Sequence, residues 1–103
     1  MSYQQYEASG TLTAGVAAVV DIPINCATNW VVVLRNSGAT NAITALTVAR
    51  SPLGTVFSAA VAVTDGIPLA AVTSLAGING LGEPITTLRL TITSTSGTTY
   101  TIE

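Results

Sequence analysis

Few side chains in this sequence could carry out acid–base or nucleophilic chemistry. The 103 residues include no histidine, which removes the commonest general base and the commonest metal ligand. No serine stands beside a lysine or histidine that would activate it, since the chain contains neither residue type. The carboxylates are dispersed along the chain at Glu7, Asp21, Asp65, Glu83 and Glu103. We therefore expect a protein that is not an enzyme and that binds no cofactor.

Two further features could suggest a site, and both are predicted to be structural. Cys26 is the single cysteine, and its neighbours in NCATN supply no basic side chain that would make the thiol reactive. We predict that it is a small buried residue. A single cysteine cannot form an internal disulfide, which fits a reducing compartment. The glycine-rich GINGLG at 77–82 lacks the basic residue and helix that hold phosphate. No bound metal is expected either, because one thiol and scattered carboxylates are a poor ligand set.

The charge balance limits the classes of partner. Only 8% of the residues are charged and the net charge is −2, against roughly 25% charged residues in an average protein. Nucleic acid and anionic membranes require clustered cations, so neither is expected as a partner. No convincing transmembrane helix occurs, and MSYQQYE at the start lacks the regions of a signal peptide. Free monomers usually maintain solubility with charge, so this composition favours membership in an assembly.

The elements that must position any site have the pattern of β-strands. Apolar and polar residues alternate in VDIPIN at 20–25, TLRLTIT at 87–93 and TTYTIE at 98–103, which predicts strands with one buried face. Pro23 cannot donate a ladder hydrogen bond, so we predict that its strand lies at a sheet edge or contains a bulge. Weaker strand signals lie at 7–13 and 56–63.

The run Trp30–Leu34 is apolar at every position, which is typical of a central strand whose two faces are both covered. The polar stretches NSGATN at 36–41 and STSG at 94–97 predict two β-hairpin turns. We expect five of the apolar side chains to form the core: Trp30, Val32, Leu34, Leu90 and Ile92.

About seven to eight short strands separated by turn signals indicate an all-β antiparallel β-sandwich, of jelly-roll or immunoglobulin-like topology. We expect an N-terminal arm at 1–9 and a single sandwich domain at 10–103. Trp30 could instead be an exposed sugar-stacking platform, but its place at the head of an apolar strand favours the core.

The connection at 64–84 is long and unusually apolar for a loop. Its stretch LAAVTSLA at 69–76 could form a short helix ended by Gly77. Two interpretations remain open: the segment covers its own core, including the second face of Trp30–Leu34, or it contacts another subunit. Two tyrosines of the arm could also dock on a neighbour or belong to a frayed end. The candidate interface residues are Tyr3, Tyr6, Ile67, Leu69, Val72, Leu75, Ile78 and Leu81.

Two blocks, VVVLRNSGATNAITALTVARSPLG at 31–54 and TTLRLTITSTSGTTYTIE at 86–103, resemble small virion structural proteins of tailed bacteriophages. The likeness covers roughly residues 30–103, consists of strands and turns, and transfers no active-site residue. It implies a multi-copy β-sandwich that decorates or cements a capsid, serves as an auxiliary protein, or lies at the neck or tail of the particle. The partners would be copies of itself and the major capsid or other virion proteins, with no small-molecule substrate. Such a protein is made in the bacterial host cytoplasm and ends in the virion.

A second function stays open beside this one. The same strand layout occurs in carbohydrate- or receptor-binding modules of phage fibres, phage tails and bacterial surfaces. Clustered exposed aromatic residues would favour that function.

Overall fold

The described part of the chain contains eight β-strands and no helix. The computed structural model describes residues 6–27, 29–81 and 85–103. The strands are β1 (Ala8–Leu12), β2 (Ala18–Pro23), β3 (Asn29–Asn36), β4 (Ala45–Ser51), β5 (Val61–Ala62), β6 (Ser74–Leu81), β7 (Thr87–Thr93) and β8 (Thr98–Ile102). Because β1 begins at Ala8, the last two residues assigned to the predicted arm at 1–9 belong to the sandwich.

The strands form two antiparallel sheets of four that pack face to face. One sheet has the order β1-β8-β3-β6 and the other the order β2-β7-β4-β5. The first strand therefore pairs with the last, β2 with β7, β3 with β6, and β4 with β5. This pattern of a long hairpin rolled into a sandwich defines the jelly roll. The predicted all-β antiparallel sandwich is confirmed, and its topology is the jelly roll.

Both predicted hairpins are wrong. The turn at 36–41 follows β3 and leads to β4, and the turn at 94–97 joins β7 to β8. In each case the two strands belong to different sheets. Polar turn residues indicate that the chain reverses, but they do not specify the strand with which the next segment pairs. Each turn therefore crosses from one sheet to the other.

The core lies between the sheets and follows the alternation in sequence. The inward side chains of β7, Leu88, Leu90 and Ile92, are fully buried, and Val32 and Leu34 of β3 face them. Four of the five predicted core residues are therefore confirmed. Trp30, the fifth, is only half-buried and packs against the edge of the core. The strand that carries Pro23 is an edge strand, as predicted.

The described residues of the segment at 64–84 extend the sheet beside β3 rather than cover its second face. That segment contains β6, which pairs with β3 and has Ile78 opposite Val32. The predicted short helix at 69–76 is wrong, because long-range pairing with β3 overrides the weak local preference. On the outer face of β3, Val31 is 59% exposed. The outward side of this apolar strand thus remains partly open to solvent.

The connections gather at two ends of the sandwich. The Asn36 end holds the connections 13–17, 37–44, 63–73 and 94–97. The Phe57 end holds 24–27, 52–60 and 85–86. The Asn36 end contains buried polar side chains, whereas the Phe57 end has exposed apolar side chains.

Candidate interaction surfaces

Two of the predicted interface residues lie inside the protein. Leu69 and Ile78 are each 4% exposed and belong to the core. Leu69 also exchanges backbone hydrogen bonds of 2.8 and 2.9 Å with Ile43, which anchors the connection at 63–73. Neither side chain is available to a partner at the surface. For these two residues the alternative interpretation applies, in which the segment covers its own core.

The other candidates are divided. Tyr6, Ile67 and Leu75 are half-buried and pack against the core. Val72 is 57% exposed at the Asn36 end. Two further candidates cannot be placed: Tyr3 and the side chain of Leu81 lie outside the part that the structure describes. The structure therefore does not bring the predicted set together on one described surface.

The Asn36 end is organised by one buried amide. The Nδ2 of Asn36 donates to the carbonyl oxygens of Asn41 at 2.8 Å and Leu69 at 3.0 Å. Its Oδ1 accepts from the Gly38 N–H at 3.1 Å and the Thr98 hydroxyl at 2.9 Å. Asn36 is fully buried and uses its whole hydrogen-bonding capacity within the protein. Its role is to tie three segments together rather than to bind a ligand.

A second buried polar side chain reinforces the same end. The Ser94 hydroxyl donates to the Ala42 carbonyl at 2.7 Å and accepts from the Gly97 N–H at 3.1 Å. The amide of Asn41 donates to the Gly97 carbonyl at 2.7 Å. These bonds hold the turn at 94–97 against the connection at 37–44.

The Phe57 end presents an apolar surface that the sequence analysis did not single out. Leu53 is 82% exposed, Val56 75% and Val61 61%. We call the exposed apolar side chains of this stretch the apolar rim, which consists of Leu53, Val56, Ala59, Ala60, Val61 and Ala62. The sequence does indicate this surface, because no charged residue occurs between Arg50 and Asp65. The apolar residues at 56–63 were instead predicted to form a strand, and only Val61–Ala62 does so, as β5.

The residues between these exposed side chains are anchored. The Gly54 N–H donates to the Ser51 hydroxyl oxygen at 2.7 Å. The Ser58 N–H donates to the Arg50 carbonyl at 2.8 Å, and the Ser58 hydroxyl accepts from the Arg50 N–H at 3.0 Å. The connection is therefore held at several points along its length while its apolar side chains face outward.

A surface ion pair supports the same connection. Arg89 donates to both carboxylate oxygens of Asp21, at 2.8 and 3.0 Å, and its guanidinium lies 3.8 Å from the centre of the Phe57 ring. The hydrogen bonds from Arg89 hold the pKa of Asp21 below its usual range, and Asp21 raises the pKa of Arg89. Phe57 is thus stacked on a guanidinium that is already fixed.

Cys26 is exposed, so the prediction that it is buried is wrong. Asn25 and Cys26 both have positive φ angles, 57° and 59°, because the chain turns sharply after β2. The Cys26 N–H donates to the Ile85 carbonyl at 2.8 Å. The local turn geometry, which sequence alternation does not encode, turns this side chain outward.

Other concave or ligand-like features are modest. A shallow pocket of about 350 Å³ lies across β1 and β8 between Glu7 and Glu103. Within residues 6–27, 29–81 and 85–103 no three potential metal ligands come together. No helix in those ranges could span a membrane.

Comparison with known proteins adds no assignment. The chain matches no protein-family model, no curated protein and no solved structure.

Proposed function

We propose that this chain is a structural protein of a tailed-bacteriophage virion, a capsid decoration, cement or auxiliary protein that acts through protein–protein contacts. The observation that carries the proposal is the apolar rim. Its three large side chains are between 61% and 82% exposed, and groups of exposed apolar side chains are typical of interaction sites.

The anchoring of the rim supports the same role. Hydrogen bonds at Gly54 and Ser58 and the stacking of Phe57 hold the connection in place before any partner arrives. A surface that is ordered in advance loses little conformational entropy on binding. A small rigid domain that offers such a surface suits repeated contacts on a shell, where many copies act together.

The fold supports the role by analogy. Jelly rolls are used in viral capsid proteins and also in lectins, so the architecture alone does not select a function. The strand and turn pattern at 30–103 is the additional support for a virion protein. A lectin-like function would use open aromatic faces. The described aromatic residues, Tyr6, Trp30, Phe57 and Tyr100, are all half-buried or buried, so we do not propose sugar binding.

The experiment is quantitative mass spectrometry of gradient-purified particles of the phage that encodes the chain. We expect a constant ratio of this chain to the major capsid protein across the particle peak. A chain that stays at the top of the gradient would refute the proposal.

A variant pair locates the contact. Leu53→Ser with Val56→Ser should lower the copy number on the particles. The matched control is Val16→Ser with Val72→Ser, which alters two side chains of 56% and 57% exposure at the Asn36 end and should leave incorporation unchanged.

A further inference from the structure

The free edge of β5 continues the apolar rim along the side of a sheet. β5 is the last strand in the order β2-β7-β4-β5. The Val63 N–H donates to the Leu46 carbonyl at 2.9 Å, and Val61 lies opposite Val48. Because backbone groups alternate in direction along an antiparallel strand, the N–H and C=O of Ala62 point away from β4. This edge therefore offers backbone hydrogen-bonding groups next to exposed apolar side chains.

The edge lacks two of the features that usually prevent pairing with another chain, charge and proline. Natural edge strands are protected by short length, by charged side chains, by proline or by bulges, and β5 has only the short length of its two residues. The edge strand β2 of the same sheet carries Asp21 in an ion pair with Arg89, and it ends at Pro23. Between Ser58 and Thr64, by contrast, the sequence has neither a charged residue nor a proline.

We propose that a second copy of this chain docks on this edge, so that β5 and the apolar rim of one copy pair antiparallel with the same elements of the other. A two-fold contact places identical surfaces together, and here neither surface contains a charge that would be repelled or desolvated. Antiparallel pairing of the two β5 edges joins the β2-β7-β4-β5 sheet of one copy to the same sheet of the other copy.

The size of the surface fits a contact of limited area. A standard interface uses about 20–30 residues on each side. Residues 52–62 supply nine exposed residues and two half-buried ones, so the contact would lie at the small end of the range. We therefore expect a dimer that forms and dissociates readily in solution. This proposal goes beyond the virion role and does not depend on it.

The test is analytical ultracentrifugation of the purified full chain from about 5 µM to 1 mM, the range in which weak dimers dissociate. A reducing agent is present because Cys26 is exposed. We expect the weight-average mass to rise with concentration towards that of a dimer. Leu53→Ser with Val56→Ser should raise the dissociation constant of the dimer about tenfold or more and leave the melting temperature unchanged.

Two further variants keep the test decisive if the double variant folds poorly. Ala62→Pro removes an outward N–H and leaves the hydrogen bonds to β4 intact. Val61→Lys brings two like charges together across the two-fold axis. Both should abolish the dimer, whereas Val16→Ser with Val72→Ser should preserve it.

Three outcomes would overturn the proposal: a wild-type chain that stays monomeric to 1 mM, rim variants that dimerise like the wild type, or a control variant that dissociates equally. A chain that is monomeric in solution but present on particles through the same rim would overturn self-association and leave the virion role standing. A dimer that is absent from particles would refute only the virion role.

Discussion

Replacing Asn36 by alanine should show that one amide holds the Asn36 end together. The change removes four hydrogen bonds, of which those to the Leu69 carbonyl and from the Thr98 hydroxyl are buried. A buried polar group left without a partner costs about 1–3 kcal/mol. This applies to the Thr98 hydroxyl, whereas the Leu69 carbonyl keeps its hydrogen bond from the Ile43 N–H and loses only one bond, worth about 0.5–1.5 kcal/mol. The partners at Asn41 and Gly38 are only partly buried and can bind water instead. We therefore expect a loss of about 3 kcal/mol from a total stability of roughly 5–15 kcal/mol.

Urea denaturation at several temperatures measures this loss. The midpoint should fall at an unchanged slope, and the melting temperature should drop by roughly 12–24 °C at about 4–8 °C per kcal/mol. The control is Asn29→Ala, which alters an exposed residue of the same strand and should cost less than about 0.5 kcal/mol.

An isosteric variant separates hydrogen bonding from volume. Asn36→Asp places an oxygen where Nδ2 now stands, 2.8 and 3.0 Å from two carbonyl oxygens. Because this oxygen is charged and cannot donate, the loss at neutral pH should exceed that of Asn36→Ala. A loss below about 1 kcal/mol for Asn36→Ala, or an aspartate variant as stable as the wild type, would refute the role assigned to the amide.

Three further predictions address packing, backbone space and charge. Trp30→Ala should cost about 2–3 kcal/mol by urea denaturation, less than the ~3–5 kcal/mol of a fully buried aromatic residue, because the ring is half-buried. Gly38→Ala should lower the melting temperature sharply, because the new Cβ would lie 1.8 Å from the Thr98 hydroxyl oxygen. The lowered pKa of Asp21 stabilises the fold above the usual pKa of an aspartate. This stabilisation is lost as the pH falls through the lowered value, so the acid loss of stability should be smaller in Asp21→Asn.

Each of these has a clear contrary result. A Trp30 variant as stable as the wild type would show that the ring contributes no packing. An unchanged melting temperature for Gly38→Ala would show that the Thr98 side chain moves aside freely. The Asp21 contribution would be refuted by identical acid unfolding curves for the wild type and Asp21→Asn.

The sequence by itself determined the strands whose alternation is strong. VDIPIN, TLRLTIT and TTYTIE each became a strand with its apolar face inward, because alternation is a local property that any sandwich uses in the same way. The edge position of the Pro23 strand also followed from a local property, the missing N–H. The fold class and most of the core were therefore predictable.

The partner of each strand depended on residues far away in sequence. β3 and β4 are neighbours in the chain, yet β3 pairs with β6 and β8 while β4 pairs with β5 and β7. A turn sequence describes only the reversal between two strands. The glycine-containing β6 showed no strand alternation, and pairing with β3 made it a strand.

The two candidate surfaces were likewise decided by tertiary structure. Asn36 stands in a sequence typical of a turn, and only the approach of Leu69 and Thr98 makes it a buried centre of hydrogen bonds. The apolar residues of 67–78 and 53–61 look equally suitable for a core in the sequence. Packing buried Leu69 and Ile78 and left Leu53 and Val56 exposed. The reason is long-range pairing: Leu69 bridges to Ile43 and Ile78 pairs with Val32, whereas Leu53 and Val56 lie in the connection from β4 to β5.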